Sequence, residues 1–134
     1  MQRFLFLTLF FLTSLSQAEV LAEPEIFIAT NWDKNQISLA FIAKAEPAWI
    51  INANAPWSLV IKGDDDHLSL TKLSYNKTDF LENVPGFKVI ATPKPNTSSG
   101  RITYTLTGFF CSKDKKKCTR KIFSDQYIWQ KSRS

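Results

Sequence analysis

The sequence predicts an all-β domain: an immunoglobulin-like antiparallel β-sandwich with a disulfide-closed hairpin at its C-terminal end. Three observations predict it. Apolar and polar residues alternate with a period of two along most of the chain, and the alternating runs are rich in β-branched and aromatic residues. Clusters of turn-forming residues separate the runs at intervals of about ten residues, the spacing of short strands in one sandwich. A small barrel is the alternative closure of the same strands.

The elements follow in order. "EIFIAT" (25–30) is short and β-rich, and "QISLAFIAK" (36–44) puts Ile37, Leu39 and Phe41 on one face. "AWIIN" (48–52) runs into "APWSLVIKG" (55–63), where Trp57, Leu59 and Ile61 share a face. "HLSLTKLSY" (67–75) has Leu68 and Leu70 in step, and "FKVIATP" (87–93) has Phe87, Val89 and Ala91. "RITYTLTGFF" (101–110) sets Ile102, Tyr104 and Leu106 against a face of threonines, and "RKIFSDQYIWQ" (120–130) is the last strand. The breaks "NWDKNQ", "AEPA", "KGDDD", "VPG" and "PKPNTSSG" carry turn chemistry. "TDFLENV" (78–84) is the one segment that reads as a helical turn. Gly108 interrupts the alternation before Phe109, and a bulge there is expected to redirect Phe109, Phe110 and Cys111.

The charge is unevenly spread. From Cys111 to Ser134 there are eight basic residues and two acids, a net of +6, whereas Glu19 to Phe110 carries a net of −2. The basic character therefore belongs to the C-terminal hairpin, and it does not call for a nucleic-acid partner. Catalysis by a serine triad has little support, because His67 is the one histidine and follows "GDDD" in a turn. The aspartates offer hard-cation ligands, but adjacent residues point apart and no calcium-loop spacing is present, so no metal is expected. Phosphate-binding glycine loops are absent, and no cofactor is implied. Trp32, Trp49, Trp57 and Trp129 read as core in a domain of this size.

That leaves "FFCSKDKKKC" (109–118). Cys111 and Cys118 are the only cysteines and pair with each other in an exported chain. As a staple the bond closes a loop of eight residues, for which chain entropy gives about 2.5 kcal/mol. As a redox centre it would have Lys113, Lys115, Lys116, Lys117 and Arg120 to stabilise a thiolate, which lowers cysteine pKa and makes the disulfide more oxidising. The same cations also read as a solvated hairpin tip that blocks edge pairing. Both readings stay open on the residues alone.

An exported β-sandwich whose last hairpin carries a closely spaced cysteine pair resembles the N-terminal periplasmic domain of the thiol:disulfide interchange protein DsbD. The resemblance rests on Cys111 and Cys118 and implies a redox pair that exchanges electrons with a thioredoxin-like exported protein. Six residues separate the cysteines where that family usually has five, and "TRK" stands in place of its tyrosine-proline motif. "INANAPWSLVI" followed by "YTLTGFFCSKDKKKC" is also similar to small exported bacterial β-domains and to the C-terminal domain of NHL-repeat thioredoxin proteins. Asn52, Pro56, Trp57, Phe109, Cys111 and Cys118 fit that pattern, while Ile50 stands where a histidine is frequent. The role these resemblances imply is thiol–disulfide exchange with another protein. A non-catalytic binding module, with a structural disulfide and a basic hairpin facing an acidic partner, is the second reading.

The N-terminus sets the compartment. Arg3, the apolar run "FLFLTLFFL" (4–12) and the small residues Ser16 and Ala18 read as a signal peptide over 1–18, leaving one domain over 19–134. The run is too short to anchor the chain in a bilayer, and no later apolar run is long enough to span one. A periplasmic or secreted product is expected. Intact-mass analysis of protein exported from an expressing cell should give Glu19 as the first residue. Recovery of a soluble, exported chain that retains Met1 to Ala18 would contradict the cleavage site.

Overall fold

The structure, a computed structural model, describes residues 23–45 and 47–131. The expected signal peptide (1–18) and its cleavage site lie outside the described residues. Nine strands and one short 3-10 turn make up the rest: β1 (Glu25–Asp33), β2 (Gln36–Lys44), β3 (Trp49–Ile51), β4 (Ser58–Gly63), β5 (Leu68–Leu70), β6 (Ser74–Tyr75), β7 (Gly86–Pro93), β8 (Ser99–Ser112) and β9 (Cys118–Gln130). The first sheet has the order β1-β2-β7-β5. In the second, β9 flanks one edge of β8, while β3 and β4 lie end to end along the other, with β6 beyond β4. All pairings are antiparallel. The four-strand sheet against the β9-β8-β4 sheet reproduces the strand order of a constant-type immunoglobulin sandwich.

The alternation expected from sequence supplies the core. Ile37, Leu39 and Phe41 of β2 and Phe87, Val89 and Ala91 of β7 are buried from one side, and Leu59, Ile61, Ile102, Leu106 and Phe110 from the other. The two layers meet at aromatic contacts, with the Phe41 and Tyr104 rings 5.1 Å apart. Phe80, from the loop after β6, closes one end between Trp57 at 4.7 Å and Phe87 at 5.7 Å. At the β1 and β9 side, Trp32 lies 6.2 Å from Trp129 and the Thr30 hydroxyl bonds to that of Tyr127. Trp57 and Trp129 are fully buried, and Trp32 and Trp49 are partly buried against the same cluster.

Three local expectations are corrected. "HLSLTKLSY" is two strands, because β5 pairs with β7 in the first sheet and β6 crosses back to pair with β4 in the second. The helical turn is a single 3-10 turn at Lys77–Asp79, one residue earlier than expected, where the Asn76 side chain accepts from Thr78 N and Asp79 Oδ2 accepts from Asn76 N. The bulge at Gly108 is absent. The β8–β9 register runs unbroken from Ser99↔Gln130 to Cys111↔Cys118 and passes through Gly108↔Lys121. Gly108 stays in phase with Leu106 and Phe110, and all three are buried.

The glycine is needed for a different reason. A Cβ at residue 108 would lie 2.8 Å from the Trp57 ring and 3.0 Å from Phe110. Its missing side chain is the slot that Trp57 fills. Gly108→Ala should therefore destabilise the domain by about 1–3 kcal/mol through overpacking, and Trp57→Ala by about 3–5 kcal/mol through loss of a buried aromatic. In urea denaturation the double variant should cost clearly less than the sum, because alanine at 108 no longer meets the indole. Strict additivity would contradict the contact.

Candidate functional site

The second sheet decides where the cysteines point. Residues 102, 104, 106, 108 and 110 of β8 face the core, so Phe109 and Cys111 face outward, away from the first sheet. Cys118 opposes Cys111 directly and shares that outer face. Ser112 N donates to Lys117 O at 2.7 Å, which makes 112 and 117 a hydrogen-bonded pair. The next pair along, 111 and 118, is then a non-hydrogen-bonded one, the position where strands bring Cα atoms closest. The separation is 4.0 Å, and the two sulfurs are bonded. In antibody domains the disulfide ties one sheet to the other. Here it ties two strands of one sheet that are already paired over thirteen rungs.

The two sulfur-bearing residues differ in access. Cys111 is only 7% exposed, covered from the β3 side where Ile50 is its register partner. Cys118 lies on the edge strand and is exposed.

The turn between them is built by short polar contacts. Lys115 N donates to Ser112 O at 2.8 Å, Lys116 N to Asp114 Oδ1 at 3.0 Å and Lys117 N to the Ser112 hydroxyl at 3.1 Å. The Ser112 hydroxyl in turn donates to Asp114. That bond and the one from Lys116 N hold the Asp114 carboxyl below its usual value. Lys115 takes a left-handed backbone, φ 61°, at the corner. Asp114 is thus spent on the turn, and its charge is directed at Ser112 and the Lys116 amide.

The five cations do not crowd the sulfurs equally. Lys115 lines a depression that also contains Cys111 and Cys118, whereas Lys113, Lys116 and Lys117 are exposed on the turn and do not line it. Arg120 follows Cys118 by two residues on the same outer face, opposite Phe109. Lys121 points to the other side and pairs with Glu23. Beside this cluster the outer face carries apolar side chains, Ile50 at 36% and Ile122 at 55% exposure.

The depression comes from the break between β3 and β4. Residues 52–57 leave the edge of β8, and the segment is pinned where it leaves. Asn52 N donates to Phe109 O at 3.0 Å, Asn52 O accepts from Trp57 Nε1 at 2.7 Å, and Asn52 Oδ1 accepts from Asn54 N at 3.2 Å. The result is a hollow of about 390 Å³ lined by Ile50, Ile51, Asn52, Ala53 and Asn54 as well as the cysteines and Lys115. Reading the sequence for motifs misses this wall as part of the site. Its signal is the non-alternating "NANAP" between two apolar runs, which marks a strand that stops and resumes.

The competing sites are local structure. His67 Nδ1 lies 2.5 Å from Asp64 Oδ2, and Asp64 Oδ1 accepts from Asp66 N at 3.3 Å, so the aspartates shape a turn. Among the described residues, no three His, Cys, Asp or Glu side chains are grouped to hold a metal ion. No helix among them is long and apolar enough to cross a membrane. Compared with family models, curated proteins and solved structures, the chain finds no match.

Proposed function

We propose that the Cys111–Cys118 pair is a thiol–disulfide exchange centre that passes electrons to or from another exported protein. The observation that carries this reading is the placement of the bond. It lies on the outer face of one sheet, with Cys118 exposed, Cys111 covered and Lys115 alongside. A staple placed for stability contributes most by closing a long loop. This bond spans a sequence separation of seven and joins neither layer to the other. The resemblance to the DsbD N-terminal domain supports the same role for the same two residues. An exported, periplasmic setting, as the N-terminal residues imply, is one in which the disulfide can form.

The chemistry follows from the exposure difference. A partner thiolate attacks Cys118 Sγ, the Cys111–Cys118 bond breaks, and Cys111 leaves as a thiolate. A second thiol of the partner then attacks the partner's own sulfur in the mixed disulfide and releases Cys118. Two electrons move, the partner is oxidised to a disulfide, and the hairpin ends as a dithiol. The reverse sequence reduces the partner. Lys115 stabilises either thiolate through its charge, and the lysines on the turn add a longer-range field.

A second reading has its own observation. Lys113, Lys116 and Lys117 project from the turn without lining the hollow, as a basic contact surface for an acidic partner would. The two readings part on the reduction potential. As an exchange centre the pair should equilibrate with glutathione or thioredoxin-type buffers well above about −300 mV, the region of inert structural disulfides. Neutralising Lys115, Lys116 and Lys117 to Gln should lower that potential, since the charges stabilise the reduced thiolates and not the oxidised bond. A potential at or below about −300 mV that ignores the lysines would leave the disulfide structural and the basic turn as a binding surface.

A further inference from the structure

The hollow beside the disulfide has the size and lining of a small-molecule subsite. At about 390 Å³ it falls within the range of sites for small ligands, about 300–1,000 Å³. Ile50, Ile51 and Ala53 give it an apolar wall, Asn52 and Asn54 bring side-chain amides, and Lys115 contributes a cation. No carboxylate lines it. The nearest acid in sequence, Asp114, is turned to the Ser112 hydroxyl and the Lys116 amide. The backbone at Lys115 and the backbone of the wall are both held by hydrogen bonds, Lys115 N to Ser112 O and Asn52 N to Phe109 O. A lysine, two asparagines and a disulfide therefore line one small hollow.

We propose that this hollow binds a small carboxylate-bearing thiol, of the size and charge of glutathione, and presents its sulfur to Cys118. The inference rests on the pair being an exchange centre and narrows its substrate to a chemical class. The carboxylate sits against Lys115, the carbon chain against Ile50 and Ala53, and the thiolate reaches Cys118 Sγ. Attack forms the mixed disulfide at Cys118 and expels Cys111 as a thiolate, which takes a proton from solvent. A second molecule of the thiol attacks the first at its sulfur and releases Cys118 as a thiolate. Two thiols become one small disulfide as the protein gains two electrons and becomes a dithiol.

The test measures the initial rate of reduction of the oxidised protein by 3-mercaptopropionate, 2-mercaptoethanol and glutathione, by acid quench and alkylation. Rates are compared at equal thiolate concentration and corrected for the fall of thiolate nucleophilicity with thiol pKa, using an unstructured disulfide peptide as the reference. The carboxylated thiols should react about two- to fivefold faster than 2-mercaptoethanol, the effect of one exposed ion pair. Lys115→Gln should bring the ratio to about one, and Lys113→Gln, whose site does not line the hollow, should retain most of it. A wild-type ratio near one, or equal losses in the two variants, would overturn the subsite while leaving the exchange centre intact. Dithiothreitol, which needs no carboxylate contact, separates the two ideas: its failure to reduce the native protein would overturn the exchange centre and the subsite together.

Discussion

The Trp57 indole has to be buried, and β8 can accept it only at a residue without a side chain. Gly108 is that residue, and the ring stacks where a Cβ would otherwise stand. Its Nε1 still needs an acceptor once it is out of water, and Asn52 O provides it. These two demands fold the 52–57 segment back on itself and out of line with β8. Hence β3 and β4 share an edge of β8 without forming one strand. The gap between them is the hollow beside Cys111. A core-packing requirement therefore sets the shape of the surface where the disulfide lies.

The electrostatics follow the same economy. The turn at 112–117 satisfies its amides with Ser112 and Asp114, so the acid within the lysine run is committed to backbone structure. Lys121 is drawn to Glu23 on the other side of β9. What is left near the sulfurs is Lys115 in the hollow, Arg120 on the same face, and three lysines spread over the turn. The charge around the hairpin thus divides into one cation lining the hollow and a more diffuse field from the turn. Close charge bears on thiolate stability, and diffuse charge bears on encounter with acidic partners.

Much of this was legible in the sequence where period and chemistry are local. The alternations through Ile37, Leu59 and Ile102 gave the strands and their faces, and the lone cysteine pair gave the hairpin. Gly108 is not legible in the sequence, because a glycine that breaks a strand and a glycine that makes room for a distant ring look the same in one dimension. Only the three-dimensional meeting of residues 57 and 108 distinguishes them. The split of 67–75 between two sheets was hidden for a similar reason, since Leu68 and Tyr75 are both buried and only the pairing partners reveal the crossing. The wall at 50–54 lies within the Asn-to-Pro-aromatic pattern, but that pattern does not place it beside the cysteines, which comes from the register of Ile50 with Cys111.

The central claim is that the hairpin presents Cys118 for exchange and keeps Cys111 behind it. Its most direct test is the reactivity of each sulfur alone, in Cys111→Ser and Cys118→Ser proteins, toward an aromatic disulfide followed by stopped-flow absorbance at neutral pH. The account predicts that Cys118 reacts about tenfold or more faster than Cys111, and faster than an unstructured cysteine peptide, because it combines exposure with a nearby cation. Equal rates, or a faster Cys111, would contradict it.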